Sequence, residues 1–146
     1  MMRNELEYYI PYVEEGEEKM YPVTINYVFN YVYKENAELY KIRAKVQDYA
    51  NRLNQIQTES KGADEKRLDE LTTEIKEKVA YIEGHQDFFE RQFKLINSIL
   101  VDNGIKDKEV NTLEFWERKV TPENAIRFLD KVIRKDITKG DGKGKK

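Results

Sequence analysis

The chain has 146 residues, 37% of them charged and 39% apolar, with a formal net charge of −2 and no cysteine. That length suits one domain with a real core; near-neutrality gives no bulk attraction to nucleic acid, and the missing thiols exclude disulfides and thiolate metal sites. No apolar run approaches the ~20 residues of a membrane span, so a membrane partner is not expected.

The chain opens MMRNELEYYIPYV, with acids where a signal peptide would carry basic residues and then an apolar block. A cytoplasmic protein is expected. Residues 7–23, EYYIPYVEEGEEKMYPV, contain two β-prone runs around a polar turn at Gly16, which predicts a small β-hairpin. Pro11 and Pro22 restrict these runs to edge or terminal strand positions. An isolated hairpin is marginal in water, so this one needs helices as a backing surface.

Residues 25–83 read as an antiparallel helical hairpin. Ile25, Val28, Val32, Leu39, Ile42, Val46, Tyr49, Leu53 and Ile56 alternate spacings of three and four, broken at Glu35, as a coiled-coil seam does. A polar linker, TESKGADEK, follows, with Asp64 as the cap of the next helix. That helix carries Leu68, Leu71, Ile75, Val79 and Ile82, which pairs Ile56 with Leu68, Leu53 with Leu71 and Tyr49 with Ile75. Gly84 marks either a bend or a tolerated glycine in a continuous helix.

Residues 86–136 hold the C-terminal helices. Phe89, Phe93, Ile96 and Leu100, flanked by Phe88, Leu95 and Ile99, give the first a wide apolar face. Asn103-Gly104 supplies its left-handed stop, and Thr121-Pro122 starts the last helix with a cap and an N1 proline. The fold class is therefore mainly α, one helical domain over 1–138, and the apolar-poor 139–146 (KGDGKGKK) is read as a disordered basic tail.

Reaction chemistry is absent from these patterns, and neither an enzyme nor a cofactor or metal is expected. His85 stands alone, with Glu83 and Asp87 on other sides of a helix. Ser60 falls at the hairpin tip and Ser98 in mid-helix, far from a nucleophile's strained turn. Pairs such as Glu70 and Glu74 suit a solvated face. Binding surfaces remain. Eight of the ten tyrosines lie between Tyr8 and Tyr40, either beneath the hairpin or on a partner face. Trp116 with Phe115 and Phe128 is either core or an exposed anchor.

The layout of extended N-terminal segment, helices, FKLINSILVDNG, a charged spacer, FWERKVTPENAIRFLDKVIRKD and a short basic tail resembles the tail assembly chaperones of long-tailed phages. The resemblance centres on residues 88–136, and the hairpin from Leu39 to Ile82 is longer than the family's pattern. It implies a non-catalytic protein of the infected host's cytoplasm that coats the tape measure protein and recruits major tail protein. It also implies a second, longer product made by ribosomal slippage, with which the terminal Gly-Lys-Gly-Lys-Lys is compatible. On this reading the client face comprises Phe88, Leu95, Ile99, Phe115, Trp116 and Phe128. The alternative is a coiled-coil structural or adaptor protein that forms homo-oligomers through its helical hairpin.

Overall fold

The computed structural model describes residues 5–134 in full and 135–145 by backbone assignment alone; the tail expected at 139–146 lies outside the fully described residues. The fold is mainly α with a small N-terminal β-hairpin. In chain order it runs β1 (Leu6–Glu14), β2 (Glu17–Ile25), α1 (Asn30–Glu59), a 3-10 turn (Ser60–Gly62), α2 (Glu65–Gly84), α3 (Phe88–Asp102), a π turn (Phe115–Lys119) and α4 (Pro122–Lys145). Where one helical domain is expected, the chain divides into two compact units, Met1–Asn36 with Gln92–Lys146, and Ala37–Arg91.

In the first unit β1 and β2 pair antiparallel through a two-residue turn, Glu15 and Gly16, with φ of 52° and 79°. Two positive φ values give the mirror-image turn whose twist matches paired strands. Such a turn makes Glu14↔Glu17 a hydrogen-bonded pair, and every second pair after it likewise, including Ile10↔Tyr21. Pro11 and Pro22 occupy the intervening pairs, Pro11↔Met20 and Tyr9↔Pro22, where a backbone N–H points away from the partner strand. Neither proline breaks the ladder, and each removes a donor from an outer edge.

The period of two places Leu6, Tyr8, Ile10 and Tyr12 opposite Ile25, Val23, Tyr21 and Lys19 on one face. Ile10, Val23 and Ile25 are buried there. Ile25 therefore ends a strand rather than beginning a helix, and α1 starts only at Asn30. Its spacing to Val28 and Val32 fits a helix, but its pairing with Leu6 decides otherwise.

The helices of this unit form on local signals. Thr121 Oγ1 accepts from Asn124 N at 3.2 Å, capping α4 ahead of Pro122. At the end of α3, Gly104 adopts φ 78°; Ile105 N donates to Leu100 O and Gly104 N to Val101 O, the two bonds of a Schellman cap. Leu95, Ile96, Ile99 and Leu100 of α3 are buried, as are Ala125, Phe128, Leu129 and Val132 of α4.

The second unit is the antiparallel helical hairpin. Asp64 Oδ1 accepts from Arg67 N at 2.8 Å and caps α2 as expected. Leu39, Ile42, Ile56 and Leu71 are buried, while Leu68 and Ile75 remain exposed. The register differs from the expected one. Tyr49 meets the ring of Tyr81 at 5.3 Å and Lys78 Nζ at 4.6 Å, rather than Ile75. Helix α1 continues to Glu59 and the 3-10 turn follows, so the reversal falls later than apolar matching alone implies. Arg52 bridges Glu74 and Glu59, and Arg67 also reaches Glu59, fixing that register. Gly84 is the last residue of α2, and His85, at φ −118° and ψ 28°, turns the chain toward α3. The bend reading of Gly84 holds.

Candidate partner-binding surfaces

Five of the six residues expected to form a client face occupy the interior. Leu95, Ile99, Phe115, Trp116 and Phe128 are all at most 3% exposed, and Phe88, in the second unit, is half-buried. The tyrosine-bearing face of the hairpin closes over Phe115 and Phe128. Tyr8 packs on Phe128 at 5.6 Å between ring centroids, Tyr12 on Phe115 at 5.1 Å, and Tyr21 on Phe115 at 6.0 Å. Trp116 lies between Phe115 and Phe128, and its Nε1 donates to Val110 O at 2.7 Å. The π turn lets consecutive residues Phe115 and Trp116 both point inward. Leu95, Ile99, Phe115, Trp116 and Phe128 are therefore core and not a client face.

Charged groups fasten the hairpin at its turn end. Lys119 Nζ contacts the Glu14 carboxylate at 2.6 Å, and Lys19 adds a second contact at 3.2 Å. The hydrogen bonds from Lys119 and then Lys19 hold the Glu14 carboxyl below its ordinary range. Burial, followed by hydrogen bonding to Asp107, pushes the Tyr21 phenol up to about 12. A neighbouring cleft of roughly 460 Å³ is lined by Asp107, Glu109, Glu114, Phe115 and Lys119 among others. Its charges are mixed, without the apolar walls of a small-molecule pocket.

The residues left outside are different ones. Tyr27 and Phe29 stack at 6.3 Å with planes 8° apart, and both are about half exposed, as is Tyr31. They sit on fixed backbone. Asn103 Oδ1 accepts from Asn26 N at 2.6 Å and Tyr27 N at 2.7 Å, while its Nδ2 donates to Tyr27 O at 2.9 Å and Ile99 O at 2.7 Å. One amide thereby joins the β2–α1 connection to the end of α3. The Tyr31 hydroxyl donates to Asp102, and partial burial with that bond raises its pKa to about 12.

The second exposed set is the hairpin's other face, where Tyr9 is 59% exposed, Met20 56% and Val13 41%, with Pro22 exposed and Pro11 half-buried between them. The signal for this face was in the sequence: from Tyr8 to Val13 the strand is apolar at both parities, where a one-sided strand alternates.

The residues weighed for chemistry have structural places. Ser60 Oγ donates to Gln57 O, Ser98 shares a hydrogen bond with the Tyr31 phenol, and His85 packs at a tilt against Tyr81 with Nδ1 at 2.9 Å from the Tyr81 carbonyl. Among the described residues no group of His, Asp or Glu is arranged to hold a metal ion, and no helix is long and apolar enough to cross a membrane. Comparison with protein-family models, with curated proteins and with solved structures returned no match.

Proposed function

We propose that this chain is a non-catalytic tail assembly chaperone of the long-tailed phage kind, which keeps tape measure helices soluble in the host cytoplasm and brings major tail protein to them. The observation that carries the reading is the set of large apolar side chains exposed between residues 9 and 31: Tyr9, Val13, Met20, Tyr27, Phe29 and Tyr31. Scattered exposed apolar residues are ordinary, but aromatics gathered in one short stretch, on backbone held rigid by a turn and an amide clamp, suit partner contact. Rigid presentation lowers the ordering cost of binding. Many copies along one long client gain by avidity without strong individual contacts.

The test is co-expression with a tape measure protein of a long-tailed phage. The tagged chain should retain that protein and hold it in the soluble fraction. A client that stays soluble without the chain, or never co-purifies with it, refutes the reading. The second reading is self-association through the helical hairpin, favoured by Leu68 and Ile75, which are 39% and 37% exposed on its seam. Solution mass that rises with concentration, and stays monomeric in a Leu68→Glu/Ile75→Glu variant, distinguishes that case.

A further inference from the structure

We infer that the outer face of the β-hairpin is a docking site for a cationic amphipathic helix of another protein. The inference rests on the chaperone reading only for the identity of its client. The face itself is defined by register. Residues 7, 9, 11 and 13 of β1 share it with 24, 22, 20 and 18 of β2. Tyr9 faces Pro22 and Pro11 faces Met20, with Val13 beside them, giving a continuous apolar patch. The opposite face is already covered by Phe115 and Phe128. A strand apolar at both parities is the pattern of one buried on both sides, and here only one side has its cover.

Two observations select the occupant. The charges on the patch and at its turn are of one sign: Glu7 at one end, Glu18 at the other, and Glu15 in the turn, all exposed. Lys19 points to the inner face, where Glu14 takes it. Lysine and arginine are absent from the eight outward positions, so a cationic partner is attracted and an anionic surface repelled. The second observation is the placement of the prolines. Pro11 and Pro22 each remove an outward-pointing N–H, one from each edge, so neither edge offers a full ladder to an added strand. The partner must lie across the face. From Tyr9 to Val13 the patch runs ~13 Å, which matches somewhat over two helical turns and an apolar stripe at i, i+3 or i+4, and i+7.

The test uses the full chain and a labelled synthetic helix of about 18 residues, long enough to form in part alone. Its apolar stripe is flanked by lysines in one version and by glutamates in the other. The lysine peptide should bind, and the glutamate peptide at least about tenfold more weakly. A Tyr9→Ser/Met20→Ser variant and a Glu7→Lys/Glu18→Lys variant should each lose about tenfold for the lysine peptide, which corresponds to ~1.4 kcal/mol. Amide shift mapping on the wild-type chain should place the changes within residues 7–24, a readout that stands even if a variant misfolds. Equal affinity for both peptides, undiminished binding by a folded Tyr9→Ser/Met20→Ser chain, or binding to anionic lipid vesicles in place of the peptide overturns the inference. Failure can be assigned. If the co-expressed tape measure protein still co-purifies fully with the serine variant, this site is wrong and the chaperone reading stands. If the wild-type chain binds the lysine peptide but retains no tape measure protein, the reverse holds.

Discussion

Replacing Trp116 by alanine separates an interior C-terminal cluster from a surface one. The indole is 1% exposed, sits between Phe115 and Phe128, and is hydrogen-bonded to the carbonyl of fully buried Val110. Burying an aromatic of this size removes about 200 Å² from water, worth ~5 kcal/mol at 25 cal/mol per Å². Measured truncations of buried Phe and Trp cost about 3–5 kcal/mol, so ~4 kcal/mol is expected. That is a large share of the roughly 5–15 kcal/mol stability of an ordinary domain. Urea titration, followed by the near-UV dichroism of the tyrosines packed on this cluster, should show the midpoint falling by about 1.5–3 M. Trp116→Phe keeps most of the packing but strips the donor from Val110 O, at a cost of about 1–3 kcal/mol. A Trp116→Ala midpoint within about 0.3 M of wild type, with an unchanged near-UV spectrum, would refute the burial and return the residue to the surface.

Other outcomes follow from single features. Asn103→Ala leaves the Asn26 and Tyr27 amides without their acceptor and should cost about 1–3 kcal/mol, with faster hydrogen exchange at both amides. Gly104→Ala meets no nearby atom but must hold φ 78°, so a loss of about 1 kcal/mol by urea titration is expected, without rearrangement of α3. The Tyr21 phenol is raised from 10 to about 12 in the fold, so its contribution is complete below pH 10 and lost as pH rises toward 12. Alkaline unfolding should be less steep in Tyr21→Phe. Glu74 is lowered from 4.5 to about 2 by Arg52 and Lys78, so its contribution is complete above pH 4.5 and fades as pH falls toward 2. Glu74→Gln should flatten the acid limb of helical-hairpin stability, and salt should shrink the difference because the groups are solvent-facing.

What the sequence disclosed was whatever depends on neighbours in the chain. The caps at Asp64 and Thr121, the stop at Gly104 and the turn at Gly16 each need only a few adjacent residues to form. What it concealed depends on distant partners. Trp116, Phe115 and Phe128 have the same local pattern whether they face solvent or a tyrosine-bearing strand about a hundred positions earlier; only the packing of Tyr8 and Tyr12 decides. Ile25 satisfies a helical spacing with Val28 and Val32 and equally a strand pairing with Leu6, and the longer-range pairing prevails. The register of the helical hairpin differs for a subtler reason. Matching Ile56 to Leu68 rests on apolar spacing alone, whereas α1 runs on to Glu59 and the Arg52 and Arg67 ion pairs accompany a later alignment. Both parities of the Tyr8–Val13 run are legible as apolar, but which face stays outside is decided by the distant rings of Phe115 and Phe128.

Hydrogen exchange on the chain alone and on the chain mixed with a candidate tape measure protein tests the proposed partner surface most directly. Protection that depends on the added protein is expected between residues 9 and 31, with the interior amides of α3 and α4 unchanged. Protection confined to residues 37–91, or none anywhere, would contradict it.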